Sequence, residues 1–246
     1  MTEAGHAASP VDDERDGERR RPVALVTGAT RGIGEAIAHE LSRTHHVLVG
    51  GREPRAVAEA AARIPGATPF VADLTDERQL AEAARSIRRL DVLVHSAAVL
   101  GGHDAIAESS RERFRRAFEL NVFAVADLTR LLLPLLRTSE GTVVMINSGS
   151  GYASGAGTSV YSGTKFALRA LTDALREEER EHGVRVSSIH PGRVDTDMQR
   201  ELRQLEQGSY ERERYLSPQA VAQAVRLAVD TPAGGAVDEL KIRPMR

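Results

Sequence analysis

The sequence predicts an α/β fold: one doubly wound parallel sheet with helices on both faces. Three observations point to it. From residue 22 onward, short β-branched runs alternate with longer helical patterns. Those short runs show little strict period-two alternation, which suits strands covered on both faces. A glycine-rich turn, "TGATRGIG", follows the first of them and leads into a helical pattern. Together they describe a Rossmann-like architecture.

Taken in order, the first strand is "VALV" at 23–26, and the first helix runs over 34–42. A second strand at 47–49 precedes a helix at 54–62, which Pro54 opens at the position where its missing N–H costs nothing. The third strand, 68–72, leads to a helix at 77–88, and the fourth, "VLVH", occupies 92–95. A long helical stretch at 111–136, in one or two parts, contains "LLLPLL", an apolar run far too short to span a bilayer and broken by Pro134. The run reads as a buried helix end. The fifth strand, 143–147, is followed by a helix at 159–182, the sixth strand, 185–190, and a last helix and strand in "VAQAVRLAVDTPAGGAVDELKIRP". Repeated strand–helix–strand units require parallel pairing through right-handed crossovers.

No repeat, linker or second domain interrupts residues 22–246, so they read as one domain. Residues 1–21 are rich in charge of both signs and poor in large aliphatics. Such a segment cannot bury enough apolar surface to order itself, and it lacks the apolar stretch of a secretory signal. It is expected to be a disordered tail. A net charge of −2 over 246 residues predicts neither a nucleic-acid nor a membrane-surface partner. Cysteine is absent, which removes disulfides and thiolate chemistry and suits a cytoplasmic protein. No metal site is expected.

The glycine turn has a physical reading. A dinucleotide pyrophosphate is bulky and negative, and it seeks backbone N–H donors and a positive helix end. A Cβ at Gly28 or Gly32 would hold the backbone away from it, and Gly34 would let the helix pack close to the strand. Tyr161 and Lys165 are four residues apart on a predicted helix and therefore share a face. An ammonium beside a phenol, together with an oxidised nicotinamide, favours phenolate and lowers the phenol's pKa, so Tyr161 is expected to serve as general acid or base.

The turn's G-x-x-x-G-x-G spacing resembles the fingerprint of the short-chain dehydrogenase/reductase family. Further stations agree in order: "ADLT" at 72–75, Asn121, Ser148, "YSGTK" at 161–165 and "HPGRVDTD" at 190–197. The resemblance covers residue 23 to the C-terminus. It implies hydride transfer between a nicotinamide cofactor and a small carbonyl or alcohol, with Asn121, Ser148, Tyr161 and Lys165 as catalytic residues. Ser148 would donate to the substrate oxygen, Asn121 would hold a water linked to the lysine, and Lys165 would also hold the nicotinamide ribose.

The resemblance puts Asp73 and Leu74 beside the adenine. Thr196 would bind the nicotinamide carboxamide, and Pro191 and Gly192 would shape the turn under that ring. Thr30, Ile33, Ala97 and Val194 complete the implied cofactor-binding set. NAD enzymes usually carry an acid at the end of the second strand. Here Gly51 takes that position, Arg52 follows it, and Arg31 adds a second cation, which points to NADP(H) over NAD(H).

The chain departs from the family at His95 and Ser96, where an Asn-Asn pair is usual; His95 is expected to be structural. The charged segment at about 197–216 corresponds to the family's substrate lid, and the resemblance implies a homodimer or homotetramer. Two other classes remain: a catalytically silent cofactor-binding regulator on the same fold, and a methyltransferase or nucleotide-sugar epimerase on a similar sheet. The glycine spacing and the lack of a substrate domain disfavour the latter.

Overall fold

The computed structural model describes residues 21–245, so the expected tail lies, apart from Arg21, outside the described residues. The strands are β1 (Val23–Val26), β2 (His46–Gly51), β3 (Thr68–Val71), β4 (Val92–His95), β5 (Thr142–Ile146), β6 (Arg185–Pro191) and β7 (Glu239–Ile242). They form one seven-stranded sheet in the order β3-β2-β1-β4-β5-β6-β7. Every pairing is parallel, as the alternating pattern requires. The winding reverses between β1 and β4, where Val26 pairs with Val94, and a crevice opens beyond the carboxyl ends of these strands.

The helices are α1 (Gly32–Leu41), α2 (Pro54–Ala62), α3 (Glu77–Arg85), α4 (Arg111–Phe118), α5 (Ala124–Ser139), α6 (Ser159–Glu179), α7 (Asp197–Leu205) and α8 (Pro218–Val229). Successive strand residues feed opposite cores. Ala24 and Val26 face Ile37 and Leu41 of α1, Val57 of α2 and Val225 of α8. Leu25, Leu93 and Met145 face Leu80 of α3, Leu128 and Leu132 of α5 and Leu168 of α6. That two-sided burial explains why the strands carry no polar alternation.

One expectation needs correction. The apolar run around Pro134 is not a helix end, because α5 continues through it to Ser139 and stops at Glu140, whose φ of 47° is left-handed. Pro134 and Arg130, whose carbonyl the proline leaves without its usual partner, both lie on the exposed side, so water can serve that carbonyl. The helical stretch predicted at 111–136, in one or two parts, comprises α4 and α5 joined by a π-helical turn, Glu119–Phe123.

Candidate active site

The turn after β1 closes on itself. Gly28 has φ +62°, and a Cβ there would lie 2.7 Å from the Ala97 Cα. A Cβ on Gly34 would meet the Gly28 carbonyl oxygen at 2.2 Å. Gly28 is therefore required by the approach of the chain after β4, and it also borders the crevice. Thr27 Oγ1 fastens the same junction by accepting from the N–H groups of Ser96 and Ala97 at 3.0 and 3.2 Å. Gly32 is different. Its φ is +59°, and a Cβ would find nothing nearer than Thr196 Cγ2 at 3.4 Å, so this position borders open space. No side chain caps the first turn of α1, and its first residues, Gly32, Ile33 and Gly34, border the crevice.

The crevice has two connected parts. One, of about 1000 Å³, is bordered by Gly28, Thr30, Arg31, Gly32, Gly34, Arg52, Asp73, Leu74 and Ala97. The other, of about 770 Å³, is bordered by Ser148, Tyr161, Lys165, Pro191, Gly192 and Val194. Ile33, Ala98 and Thr196 belong to both walls. The fold thus brings every expected site residue except Asn121 to this continuous cleft.

At the end of β2, Gly51 leaves no room for an acid, since a Cβ would lie 2.7 Å from Val57 Cγ2 and 2.9 Å from Thr30 Cγ2. Arg52 and Arg31 are highly exposed, and their nearest acids are Asp73 at 3.8 Å and Asp197 at 3.4 Å. Asp73 is also a turn residue: its Oδ1 accepts from the Thr75 N–H at 3.0 Å and the Thr75 hydroxyl at 2.7 Å. Only its second oxygen remains for another partner. Thr196 caps α7 by accepting from the Gln199 N–H at 3.3 Å.

Tyr161 and Lys165 project from one face of α6 into the smaller part of the cleft. The Lys165 ammonium lies 5.6 Å from the phenol ring centre and donates to the Ile146 carbonyl at 2.8 Å. The expected acidification of Tyr161 is not a property of the chain alone. Crowding by protein atoms pushes its hydroxyl up to about 12, against the weaker opposite pull of Ser148. Burial likewise pushes Lys165 down to about 8. Desolvation disfavours both charged forms, and at this separation the ammonium does not overcome it.

Ser148 follows β5, and its Oγ accepts from the Ser150 N–H at 3.1 Å, so its hydroxyl hydrogen is directed away from that contact, on the side of Tyr161. Asn121 is 1% exposed and lies in the π-helical turn, not in a regular helix. Its Oδ1 accepts from the Val99 N–H at 2.9 Å, while Nδ2 donates to the Val99 carbonyl at 2.9 Å and to Thr164 Oγ1 at 3.1 Å. Thr164 in turn donates to the Tyr161 carbonyl at 2.7 Å. Asn121 therefore braces the chain after β4 against the helix that carries Tyr161, and both its amide hydrogens are engaged.

His95 is buried, and its pKa is driven down to about 3 by desolvation. Thr129 gives its only hydroxyl hydrogen to the Val125 carbonyl, so His95 Nε2 donates to Thr129 at 2.9 Å as a neutral structural group. The sequence reading missed Thr164 and His190. Both stand inside quoted motifs, "YSGTK" and "HPGRVDTD", but only coordinates reveal their partners. The charged 197–216 segment gathers around Asp195. Its carboxylate meets Arg200 at 2.7 Å and Arg212 at 2.8 Å and accepts from the Tyr210 hydroxyl.

A family model described as short chain dehydrogenase matches residues 22–207. Human dehydrogenase/reductase SDR family member 11 is 32% identical over 92% of this chain and 95% of its own length. Bovine L-fucose dehydrogenase is 35% identical over 73% of this chain and 68% of its own. Among solved structures, an alcohol dehydrogenase from the archaeon Thermococcus sibiricus, complexed with 5-hydroxy-NADP, superposes with a TM-score of 0.81. It is 28% identical, covering 91% of this chain and 97% of that one.

Proposed function

The chain belongs to the short-chain dehydrogenase family, and from that premise we propose that it is an NADP(H)-dependent oxidoreductase interconverting a carbonyl and an alcohol. One observation carries the reading: Ser148, Tyr161 and Lys165 border a cleft that shares its wall with the glycine turn. The residues present fit a dinucleotide phosphate. The α1 N-terminus is uncapped, and Gly32 leaves space that a side chain would fill. Arg31 and Arg52 offer guanidinium groups suited to a ribose phosphate where an acid has no room. The Thermococcus sibiricus enzyme with its NADP analogue supports the same preference.

When bound, NADPH supplies the hydride that goes to the carbonyl carbon. In our reading the hydroxyl hydrogen of Ser148 meets the carbonyl oxygen as negative charge grows there. Tyr161 delivers its phenolic proton to that oxygen, completing the alcohol. A phenol held neutral by its surroundings is already the acid this direction needs. In the reverse direction it takes the proton back, and the Lys165 ammonium, close to its ring, opposes the cost of the phenolate. Lys165 would also hold the ribose hydroxyls, Thr196 the carboxamide, and Asp73 and Leu74 the adenine end.

A cytoplasmic setting and a homodimer or homotetramer belong to the same reading. Half-exposed Phe123 and Phe166, on the elements carrying Asn121 and Tyr161, support self-association. Among the described residues no helix is long and apolar enough to cross a membrane, and none form a metal-ligating cluster. The test is NADPH consumption by the purified protein against a panel of aldehydes, ketones, sugars and quinones. Consumption with at least one carbonyl is expected; cofactor binding without any turnover would favour the silent regulator.

A further inference from the structure

His190, near the end of β6, is buried beneath the site. Its Nδ1 lies 3.1 Å from the Ser148 carbonyl oxygen. A carbonyl oxygen only accepts, so Nδ1 carries the hydrogen. Its Nε2 lies 2.8 Å from Ser188 Oγ. Burial lowers the ring's pKa and favours the neutral form, so Nε2 accepts from the Ser188 hydroxyl.

The ring is held from several elements. Tyr152 packs against it at a tilt of 54°, with ring centres 4.7 Å apart, and donates its own hydroxyl to Glu239 of β7. Arg169 of α6 and Lys241 of β7 lie 4.2 and 3.7 Å from the Tyr152 ring centre. Glu239 is also 3.7 Å from His190 Nε2. The Ser148 backbone is meanwhile fixed at both its polar groups. Its N–H donates to Asn147 Oδ1 at 2.9 Å, and its carbonyl accepts from the Gly151 N–H at 3.0 Å as well as from His190.

We propose that His190 is a positioning residue for the reaction: its Nδ1–H, anchored on the Ser148 carbonyl, sets the backbone from which the Ser148 hydroxyl reaches the substrate oxygen. The inference rests on the oxidoreductase reading above. A donor to a developing oxyanion acts only within a narrow geometry, and a small displacement from beyond the reacting atoms lowers the rate. The loss belongs in kcat, because Ser148 contributes most when charge develops on the oxygen.

The test compares three variants with the parent, using NADPH and whichever carbonyl the panel shows to be reduced. His190→Ala should lower kcat by about 10- to 100-fold, with the carbonyl KM and NADPH affinity within about twofold of the parent's, as expected for a transition-state effect. An asparagine amide nitrogen occupies the place of Nδ1, and a glutamine amide nitrogen that of Nε2. His190→Asn should therefore recover most of the rate and His190→Gln should not. Equal rates for Asn and Gln, or a kcat for His190→Ala within about twofold of the parent, would overturn the inference. Should His190→Ala not fold, nitrogen NMR of the parent decides, with the missing signal of His190→Asn giving the assignment. Hydrogen on Nδ1 supports the contact, and hydrogen on Nε2 refutes it. An inactive parent sinks the oxidoreductase reading and this inference together; an active parent with an indifferent His190 sinks only this one.

Discussion

At Tyr161 and Lys165 desolvation disfavours both charged forms, and this sets the expected pH behaviour. Crowding holds the phenol protonated, with a pKa of about 12, and burial lowers Lys165 to about 8. Tyr161→Phe should lower turnover by about 10²- to 10⁴-fold, the usual worth of a positioned acid, while NADPH fluorescence titration shows binding little changed. Lys165 loses its charge as pH rises through about 8. If the ammonium assists, kcat/KM for reduction should be level below that pH and fall above it, a limb that steady-state rates will show. At the other end of the cleft, Arg52→Asp should reverse the ratio of Michaelis constants for NADPH and NADH. The Tyr161–Lys165 pair was legible because four-residue spacing fixes a shared helix face. Its electrostatics were not, because desolvation comes from side chains distant in sequence. Asp73 was legible only in part, since the resemblance put it beside the adenine while its bond to Thr75 is present alongside the cleft position.

Among the elements, the glycine turn separates folding from binding. Gly28→Ala meets both a left-handed backbone and the Ala97 main chain, so it should cost at least about 2 kcal/mol in a urea titration. Gly32→Ala meets the left-handed strain alone, about 1 kcal/mol, but should weaken NADPH binding at least tenfold because its Cβ enters the cleft. The π-helical turn offers a second case. Asn121→Leu removes three hydrogen bonds and strands both polar groups of Val99, so it should destabilise the protein by about 2–3 kcal/mol. Asparagine in an apolar helical stretch marked an irregularity in the sequence, though not its form. A π-turn inserts one residue and leaves the surrounding periodicity almost intact. Pro134 misled because a proline on the exposed side of a helix costs far less than one facing the core.

The whole molecule places these parts through its topology. A parallel sheet that reverses its winding between β1 and β4 puts the glycine turn, the ends of β5 and β6 and the start of α6 around one crevice. That outcome was legible from the strand–helix alternation, because handed crossovers leave few ways to wind the sheet. The ordering of the 197–216 segment was not legible. It depends on charges converging on Asp195, whereas the resemblance implied only a substrate lid there. Hydride transfer across this cleft is tested most directly with NADPH carrying deuterium at both C4 positions and a reducible carbonyl, followed by mass spectrometry of the alcohol. The account predicts one deuterium on the carbinol carbon with the parent and none with Tyr161→Phe over the same interval. An alcohol formed without deuterium, or equal labelling by Tyr161→Phe, would contradict it.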